Sequence, residues 1–292
     1  MSRCYQCPRK CGADRENTTG FCGVQGLKAA RAALHFGEEP CISGTRGSGT
    51  VFFSGCVLRC VFCQNAPLSH GTEGKEITPA RLGEIFLELQ EKGAHNINLV
   101  TPTQFSNEIA AVLEKVKPRL DIPVVWNCGG YESTDTIKRL DGLVDVYLPD
   151  FKYADGALSG KYSAAPDYPE TAIAAIKAMH DSRGGVRFDS DGMMTNGVMV
   201  RHLVLPNYRR DSMRALDMLA EALPISEIRL SLMRQYVPCH KAMEIKELAR
   251  KVTTFEYEAV AEHAAQLGFI GYTQEKASAG TELIPEWNYE GL

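Results

Sequence analysis

Three cysteines that lie close together in the chain could bind a metal. Cys56, Cys60 and Cys63 fall in the stretch GCVLRCVFCQN at residues 55–65. Thiolates are the usual ligands of zinc and of iron–sulfur clusters, and a structural zinc ion takes all four of its ligands from the protein. Three cysteines on one loop therefore predict an incomplete site, such as an iron–sulfur cube in which one iron stays free to bind another molecule.

A second group of cysteines precedes the first, with the spacing C-x2-C-x3-C-x10-C: Cys4, Cys7, Cys11 and Cys22. Four soft ligands complete a metal site, and this spacing is compatible with a second [4Fe-4S] cluster, a mononuclear iron or a zinc ion. The metal would either replace a hydrophobic core in this segment or relay electrons to the site at Cys56.

The composition narrows the classes of function. Among the 292 residues, 44% are hydrophobic and 23% are charged, which is typical of a globular protein with a packed core. The net charge of -4 and the absence of any long basic run argue against a nucleic-acid partner. The N-terminus is polar and no apolar run reaches membrane-spanning length, so we expect a cytoplasmic protein whose cysteines bind metal rather than form disulfides.

Short apolar runs alternate with longer amphipathic ones from residue 49 onward, which predicts repeated strand–helix units around a parallel sheet. A hairpin or loop is expected over 183–197, and GYTQE near the C-terminus is expected as a short closing strand. The predicted strands are 50–55, 97–101, 122–127, 144–151, 197–206 and 227–233, and the predicted helices are 78–93, 106–118, 133–141, 168–181, 211–223 and 253–268.

Six such units predict an α/β fold, a partial (β/α)6 TIM-like barrel. The expected divisions are a cysteine-rich metal-binding appendage over 1–45, a core over 46–240, and a C-terminal helical extension over 241–292 that packs on the core. Parallel sheets bind ligands at the carboxyl ends of their strands. The cysteine loop and the stretches NCGGY, PDFK and PNYRR each follow a predicted strand, so they should meet at one rim.

The motif C-x3-C-x2-C directly after the first strand resembles that of the radical S-adenosylmethionine (SAM) enzymes, and its flanking residues resemble the activating enzymes of glycyl radical enzymes. The resemblance implies a [4Fe-4S] cluster on Cys56, Cys60 and Cys63 whose open iron binds SAM. It also implies that Phe62 lies near the adenine and that Asn127, Lys152 and Arg201 contact the cofactor. In place of the family's Gly-Gly-Glu stretch after the second strand, this chain has TPTQF at 101–105.

The activity that this resemblance implies is reductive cleavage of SAM to a 5'-deoxyadenosyl radical, which abstracts a hydrogen atom. The substrate would be the glycine of a partner glycyl radical enzyme, or else a small molecule or another peptide. The electron donor would be a flavodoxin or a ferredoxin. Two other classes fit the cysteines: an iron–sulfur electron-transfer or scaffold protein, and a zinc-binding interaction protein with Cys41 or His70 as the fourth ligand.

Each single residue also has an ordinary structural role open to it. Phe62 could be a core residue and Asn127 a turn residue, while Lys152 could be a solvated charge and Arg201 could pair with a neighbouring acid.

Overall fold

The computed structural model describes residues 3–70, 73–274 and 285–292. Within these residues the strands are β1 (Lys28–His35), β2 (Ser48–Phe53), β3 (Lys75–Glu76), β4 (Ile97–Val100), β5 (Val124–Cys128), β6 (Val146–Pro149), β7 (Arg187–Phe188), β8 (Met194–Leu203), β9 (Arg229–Met233) and β10 (Gly271–Thr273). The helices are α1 (Pro40–Ser43), α2 (Ala66–Ser69), α3 (Pro79–Glu91), α4 (Ser106–Val116), α5 (Thr134–Arg139), α6 (Gly156–Ser163), α7 (Tyr168–Arg183), α8 (Arg209–Ala222) and α9 (Thr254–Leu267).

The central sheet is mostly parallel, in the order β10-β9-β8-β6-β5-β4-β2-β1-β3. Every neighbouring pair from β2 to β10 runs parallel, while β1 is antiparallel to β2 and β3 is antiparallel to β1. All residues of β2, β5 and β6 are buried, as expected for parallel strands that are covered on both faces. The predicted α/β partial barrel is confirmed.

Local sequence signals explain where α3 begins. The side chain of Thr78 accepts a hydrogen bond from the Arg81 backbone N–H at 3.1 Å, and Pro79 occupies the first helical position.

The hairpin expected over 183–197 is formed by β7 and β8. The closing strand is β10, parallel to β9; Glu275, at the end of the predicted GYTQE strand, lies outside the described residues.

The segment expected as an N-terminal appendage contributes to the sheet. Strand β1 pairs with β2 along its length, from Ala29 opposite Phe53 to His35 opposite Ser48. The sequence KAARAALH did not predict a strand, because alanine favours helices and is depleted in strands. At the other end of the chain, the expected helical extension consists of α9, which packs against α8, together with β10.

Residues 36–44 close the N-terminal end of the barrel. Since β1 is antiparallel to β2, the chain leaves β1 at the end where the parallel strands begin. There Cys41 and Ile42 of α1 pack against Val125, Val146 and Leu148. The Asn96 side-chain amide donates to the Ile42 carbonyl at 2.7 Å and fixes this segment, which we call the floor, beneath the barrel interior.

No helix in the described ranges 3–70, 73–274 and 285–292 has both the length and the apolar character needed to cross a membrane.

Candidate functional site

The cysteine loop follows β2, at the carboxyl end of the sheet. Its first turn passes close under the N-terminal segment: Gly55 has φ +78°, and a Cβ at this position would lie 2.7 Å from the carbonyl oxygen of Cys22. The Cys56 N–H donates to the same oxygen at 3.2 Å. Glycine is therefore needed here, both for the positive φ and for the close approach of the two backbones.

The loop borders a cavity of about 780 Å³ inside the barrel. Cys60 and Cys63 line this cavity, and all three cysteines of the loop are free of disulfide bonds. At this size the cavity falls within the range of cofactor and small-molecule sites.

Polar groups donate to two of the sulfur atoms. The Leu58 backbone N–H lies 3.4 Å from Cys56 Sγ, and the Ser163 hydroxyl lies 3.0 Å from Cys60 Sγ. Burial raises the pKa of the Cys56 thiol to about 12 and that of Cys63 to about 11. A bound metal would deprotonate these thiols, and donors of this kind stabilise the resulting thiolates. The donor set therefore fits an iron–sulfur cluster.

In the described residues no three His, Cys, Asp or Glu side chains converge closely enough to bind a single metal ion. In a [4Fe-4S] cluster each cysteine binds a different iron, so the sulfurs need not meet at one point. Of the two residues expected as a fourth zinc ligand, Cys41 is buried in the floor, and the ring of His70 packs edge-on against His240 at 4.9 Å.

The sequence-predicted residues Asn127, Lys152 and Arg201 all line the same cavity. Each carries a direct polar contact. Lys152 Nζ lies 2.5 Å from Asp150 Oδ2, Arg201 Nε lies 3.1 Å from Asp150 Oδ1, and a further Arg201 nitrogen donates to Asn127 Oδ1. Lys152 is thus paired rather than solvated. Arg201 pairs with a neighbouring acid, which was the alternative role that the sequence allowed for it.

Electrostatic interactions keep Asp150 and Lys152 in their charged forms. Burial alone would raise the pKa of Asp150, but Lys152 and Arg201 outweigh burial and lower it. Burial likewise opposes the charged form of Lys152, whose pKa is nonetheless raised by Asp150 and by the nearby Cys60 in its thiolate form. The cavity wall therefore places a charged Lys152–Asp150 pair next to the cysteine loop.

Phe62 lines the cavity. Its ring makes edge contacts with Tyr153 at 6.5 Å and Tyr236 at 6.0 Å, and the residue is buried. The backbone on either side of it is held in place, since the Cys239 thiol donates to the Phe62 carbonyl at 3.2 Å and Ala242 N–H donates to the Val61 carbonyl at 2.9 Å. Phe62 is thus both a packed residue and part of the cavity wall.

The four N-terminal cysteines lie beside the cysteine loop. Cys7 and Cys22 are buried, Cys11 is exposed, and none of the four forms a disulfide. A Cβ on Gly20 would lie 3.1 Å from Cys11 Sγ and 3.6 Å from Cys22 Sγ, so these two sulfurs are neighbours. Burial raises the pKa of Cys7 to about 12, and the nearby Cys4 and Cys22 thiols reinforce the shift.

Two arginines attach this segment to the loop. Arg9 donates to the Val57 carbonyl at 2.7 Å and to the Ala164 carbonyl at 2.6 Å. Arg59 donates to the carbonyl of Phe21, and both guanidinium groups lie over the Phe21 ring, at 4.0 and 5.0 Å from its centre. The N-terminal cysteines are therefore held rigidly against the loop that carries Cys56.

Sequence reasoning missed the acidic residues of the floor. Glu38 accepts from Arg201 at 3.1 Å, from Asn98 at 3.1 Å and from Asn127 at 3.3 Å, and so connects β8, β4 and β5. Its neighbour Glu39 also lines the cavity. The stretch HFGEEP carries no motif, and only the course of the chain beneath the barrel brings these carboxylates to the site.

Comparisons with known proteins agree with this architecture. The family model described as the radical SAM superfamily matches residues 50–220. An uncharacterized protein of Methanocaldococcus jannaschii is 30% identical in an alignment of 274 positions that covers 90% of this chain and 75% of that protein.

Solved structures show the same fold at low sequence identity. Methylornithine synthase superposes with a TM-score of 0.52 at 14% identity, over 74% of this chain and 60% of that chain. A radical SAM methyltransferase from Sphaerobacter thermophilus superposes with a TM-score of 0.51 at 15% identity, over 78% of this chain and 66% of that chain. Streptococcus suis SuiB, bound to its precursor peptide SuiA, superposes with a TM-score of 0.50 at 12% identity, over 75% of this chain and 46% of that chain. The chain thus spans about half to two thirds of the length of these proteins.

Proposed function

The chain belongs to the radical SAM superfamily, and we propose that it is an enzyme that cleaves SAM reductively to begin hydrogen abstraction from a substrate. The observation that carries this proposal is the common cavity. Cys60 and Cys63 share it with Phe62, Asn127, Lys152 and Arg201, the residues that the resemblance assigns to the cofactor.

Cys56, Cys60 and Cys63 would hold a [4Fe-4S] cluster, which with SAM supplies an electron and a 5'-deoxyadenosyl radical. The chain's own residues would bind SAM, orient it and enclose the site. Phe62, fixed by Tyr153 and Tyr236, offers a rigid aromatic surface to a nucleoside base. Lys152, which Asp150 keeps charged, lies near Cys60, where it would share its hydrogen-bond donors between Asp150 and a bound carboxylate. The floor closes the far end of the barrel and limits the access of water to a reactive species.

The test is 5'-deoxyadenosine formation. Anaerobically reconstituted protein is incubated with dithionite and SAM, and the products are separated by liquid chromatography. Cys60→Ala should abolish the product, whereas Met243→Ala, a change at an exposed side chain outside the cavity, should retain it. Native-rate formation by Cys60→Ala would refute the assignment. A reconstituted cluster without any product would favour an electron-transfer protein.

For the substrate, we propose the glycine of a glycyl radical enzyme, on the strength of the cysteine-loop resemblance. A partner glycyl radical enzyme such as pyruvate formate-lyase, mixed with the reduced protein and SAM, should develop a glycyl radical signal in electron paramagnetic resonance. If 5'-deoxyadenosine forms but no such signal appears with any glycyl radical enzyme tested, the substrate is a small molecule or another peptide. A flavodoxin or a ferredoxin is the proposed electron donor.

The N-terminal cysteines are proposed to hold a second metal centre. Four unpaired thiols on one rigid segment support this, and the hydrogen bond from Cys56 N–H to the Cys22 carbonyl gives a short connection between the two cysteine groups. Iron, zinc and sulfide analysis of the native protein and of Cys11→Ala identifies the metal. Loss of zinc alone in the variant indicates a zinc centre; loss of part of the iron indicates iron or a second cluster. An unchanged metal content contradicts the proposal.

A further inference from the structure

Among the described residues, the charged side chains that line the cavity do not balance. Three are acidic, Glu38, Glu39 and Asp150, and two are basic, Lys152 and Arg201. Both bases are already paired: Lys152 binds Asp150, and the nitrogens of Arg201 are divided among Glu38, Asp150 and Asn127. The remaining carboxylate is that of Glu39, which extends from the floor.

Glu39 has an acceptor atom without a partner. Its Oε2 is buried, and none of the described residues donates a hydrogen bond to it. A buried polar atom without a partner is unfavourable, and the oxygen of an ionised carboxylate only accepts hydrogen bonds. The Oε2 atom therefore lacks a donor, which a ligand in the cavity could supply.

Electrostatics around Glu39 point in the same direction. Burial raises its pKa and the neighbouring Glu38 raises it further, while Arg201 and a hydrogen bond from Ser231 only partly offset them. A positive charge placed beside Glu39 would relieve both the repulsion from Glu38 and the missing hydrogen bond.

We propose that the floor binds a positively charged group of the substrate at Glu39, a primary ammonium or a guanidinium, which in a protein or peptide substrate would belong to a lysine or arginine side chain near the reacting residue. This inference rests on the proposed function, because it places the substrate beneath a cofactor held at the cysteine loop. Ser231, Gln235 and Tyr272 line the same cavity, and its volume of about 780 Å³ leaves room for the rest of the ligand.

The probes are n-pentylammonium and n-pentylguanidinium, with 1-pentanol as the neutral molecule of similar shape. Their dissociation constants for the anaerobically reconstituted protein are measured by ligand-observed NMR. Both cations should bind about tenfold or more tightly than 1-pentanol, since a hydrogen bond to a charged group contributes enough for that ratio. Glu39→Gln should remove the preference, while Glu91→Gln, a matched change on the exposed end of α3, should keep it.

Equal affinity for cations and 1-pentanol, no binding of either cation, or an unchanged preference in Glu39→Gln would each overturn the inference. The comparison of probes on the native protein needs no variant, so it holds even if Glu39→Gln folds poorly. 5'-Deoxyadenosine is measured on the same native samples. Its formation without a preference for cations overturns only the floor site, whereas a preference for cations without its formation overturns only the proposed radical chemistry.

Discussion

Replacing Arg201 with methionine should destabilise the protein strongly. The methionine keeps most of the side-chain volume but removes the hydrogen bonds to Glu38 and Asp150, both at 3.1 Å, and the bond to Asn127. The side chains of Arg201, Glu38 and Asp150 are only 15%, 9% and 16% exposed, so water cannot replace the lost donors easily. Removing one partner of a buried ion pair typically costs about 3–5 kcal/mol of unfolding free energy.

We expect the lower end of that range because Asp150 and Glu38 keep some of their other interactions. Asp150 keeps Lys152 at 2.5 Å, so its charge stays compensated. Glu38 keeps only the amide donors of Asn98 and Asn127, so it is the carboxylate that loses its hydrogen-bonded countercharge. Glu39, which Arg201 stabilises without a hydrogen bond, can take up a proton more readily because burial already raises its pKa. We therefore expect Arg201→Met to lower the free energy of unfolding by about 3 kcal/mol. Adding Glu38→Gln removes the stranded charge and should restore more than half of the loss.

Urea unfolding followed by circular dichroism, under anaerobic conditions and at equal metal content, measures both effects. Arg139→Met on the exposed face of α5 is the control and should change the stability by no more than about 0.5 kcal/mol. A loss below about 1 kcal/mol for Arg201→Met, or equal losses with and without Glu38→Gln, would refute the claim that these residues form one coupled group.

Two further predictions concern a glycine and a buried acid. Gly130→Ala should destabilise the protein much more than Gly142→Ala. The φ angles of the two glycines are alike, at +78° and +76°, but a Cβ on Gly130 would lie 2.0 Å from the Asp150 carbonyl oxygen, whereas a Cβ on Gly142 would have no neighbour within 4 Å. Equal losses of stability in thermal unfolding would contradict this prediction. Burial raises the pKa of Glu132 to about 7, although hydrogen bonds from Thr103 and Trp126 oppose the shift, so the folded protein binds more protons than the unfolded chain between about pH 4.3 and 7. The stability of the native protein should thus fall by roughly 3–4 kcal/mol as the pH rises across that window. Glu132→Gln should therefore become more stable relative to the native protein from pH 5 to pH 8. If urea unfolding gives the same difference in stability between the two proteins at both pH values, the pKa shift is refuted.

Periodicity and spacing predicted the parts of the molecule that depend on local signals. The parallel units have buried, β-branched strands, and α3 has its capping threonine and proline. Phe62, Asn127, Lys152 and Arg201 were predicted from the family resemblance, on motifs at or near the carboxyl ends of parallel strands, and the structure places all four in one cavity. Their contacts with a cofactor remain predictions.

The sequence could not predict features that depend on the path of the chain in three dimensions. Strand β1 is rich in alanine, and its place in the sheet is decided by burial against β2 rather than by propensity. Glu38 and Glu39 are distant in sequence from every motif. They reach the cavity only because an antiparallel strand delivers the chain to the opposite end of the barrel.

The first 44 residues contribute to both ends of the cavity. At the rim, the Cys22 carbonyl binds the N–H of Cys56; at the floor, Glu38 binds Arg201 at 3.1 Å. Deleting this segment would therefore remove the floor and strand β1 along with the four cysteines, and any loss of activity would not be attributable to a metal centre. Point substitutions at Cys11 and at Glu39 change one end at a time, because the residues between them keep β1 paired with β2. Only such a pair of variants can separate what the cysteines do from what the floor binds.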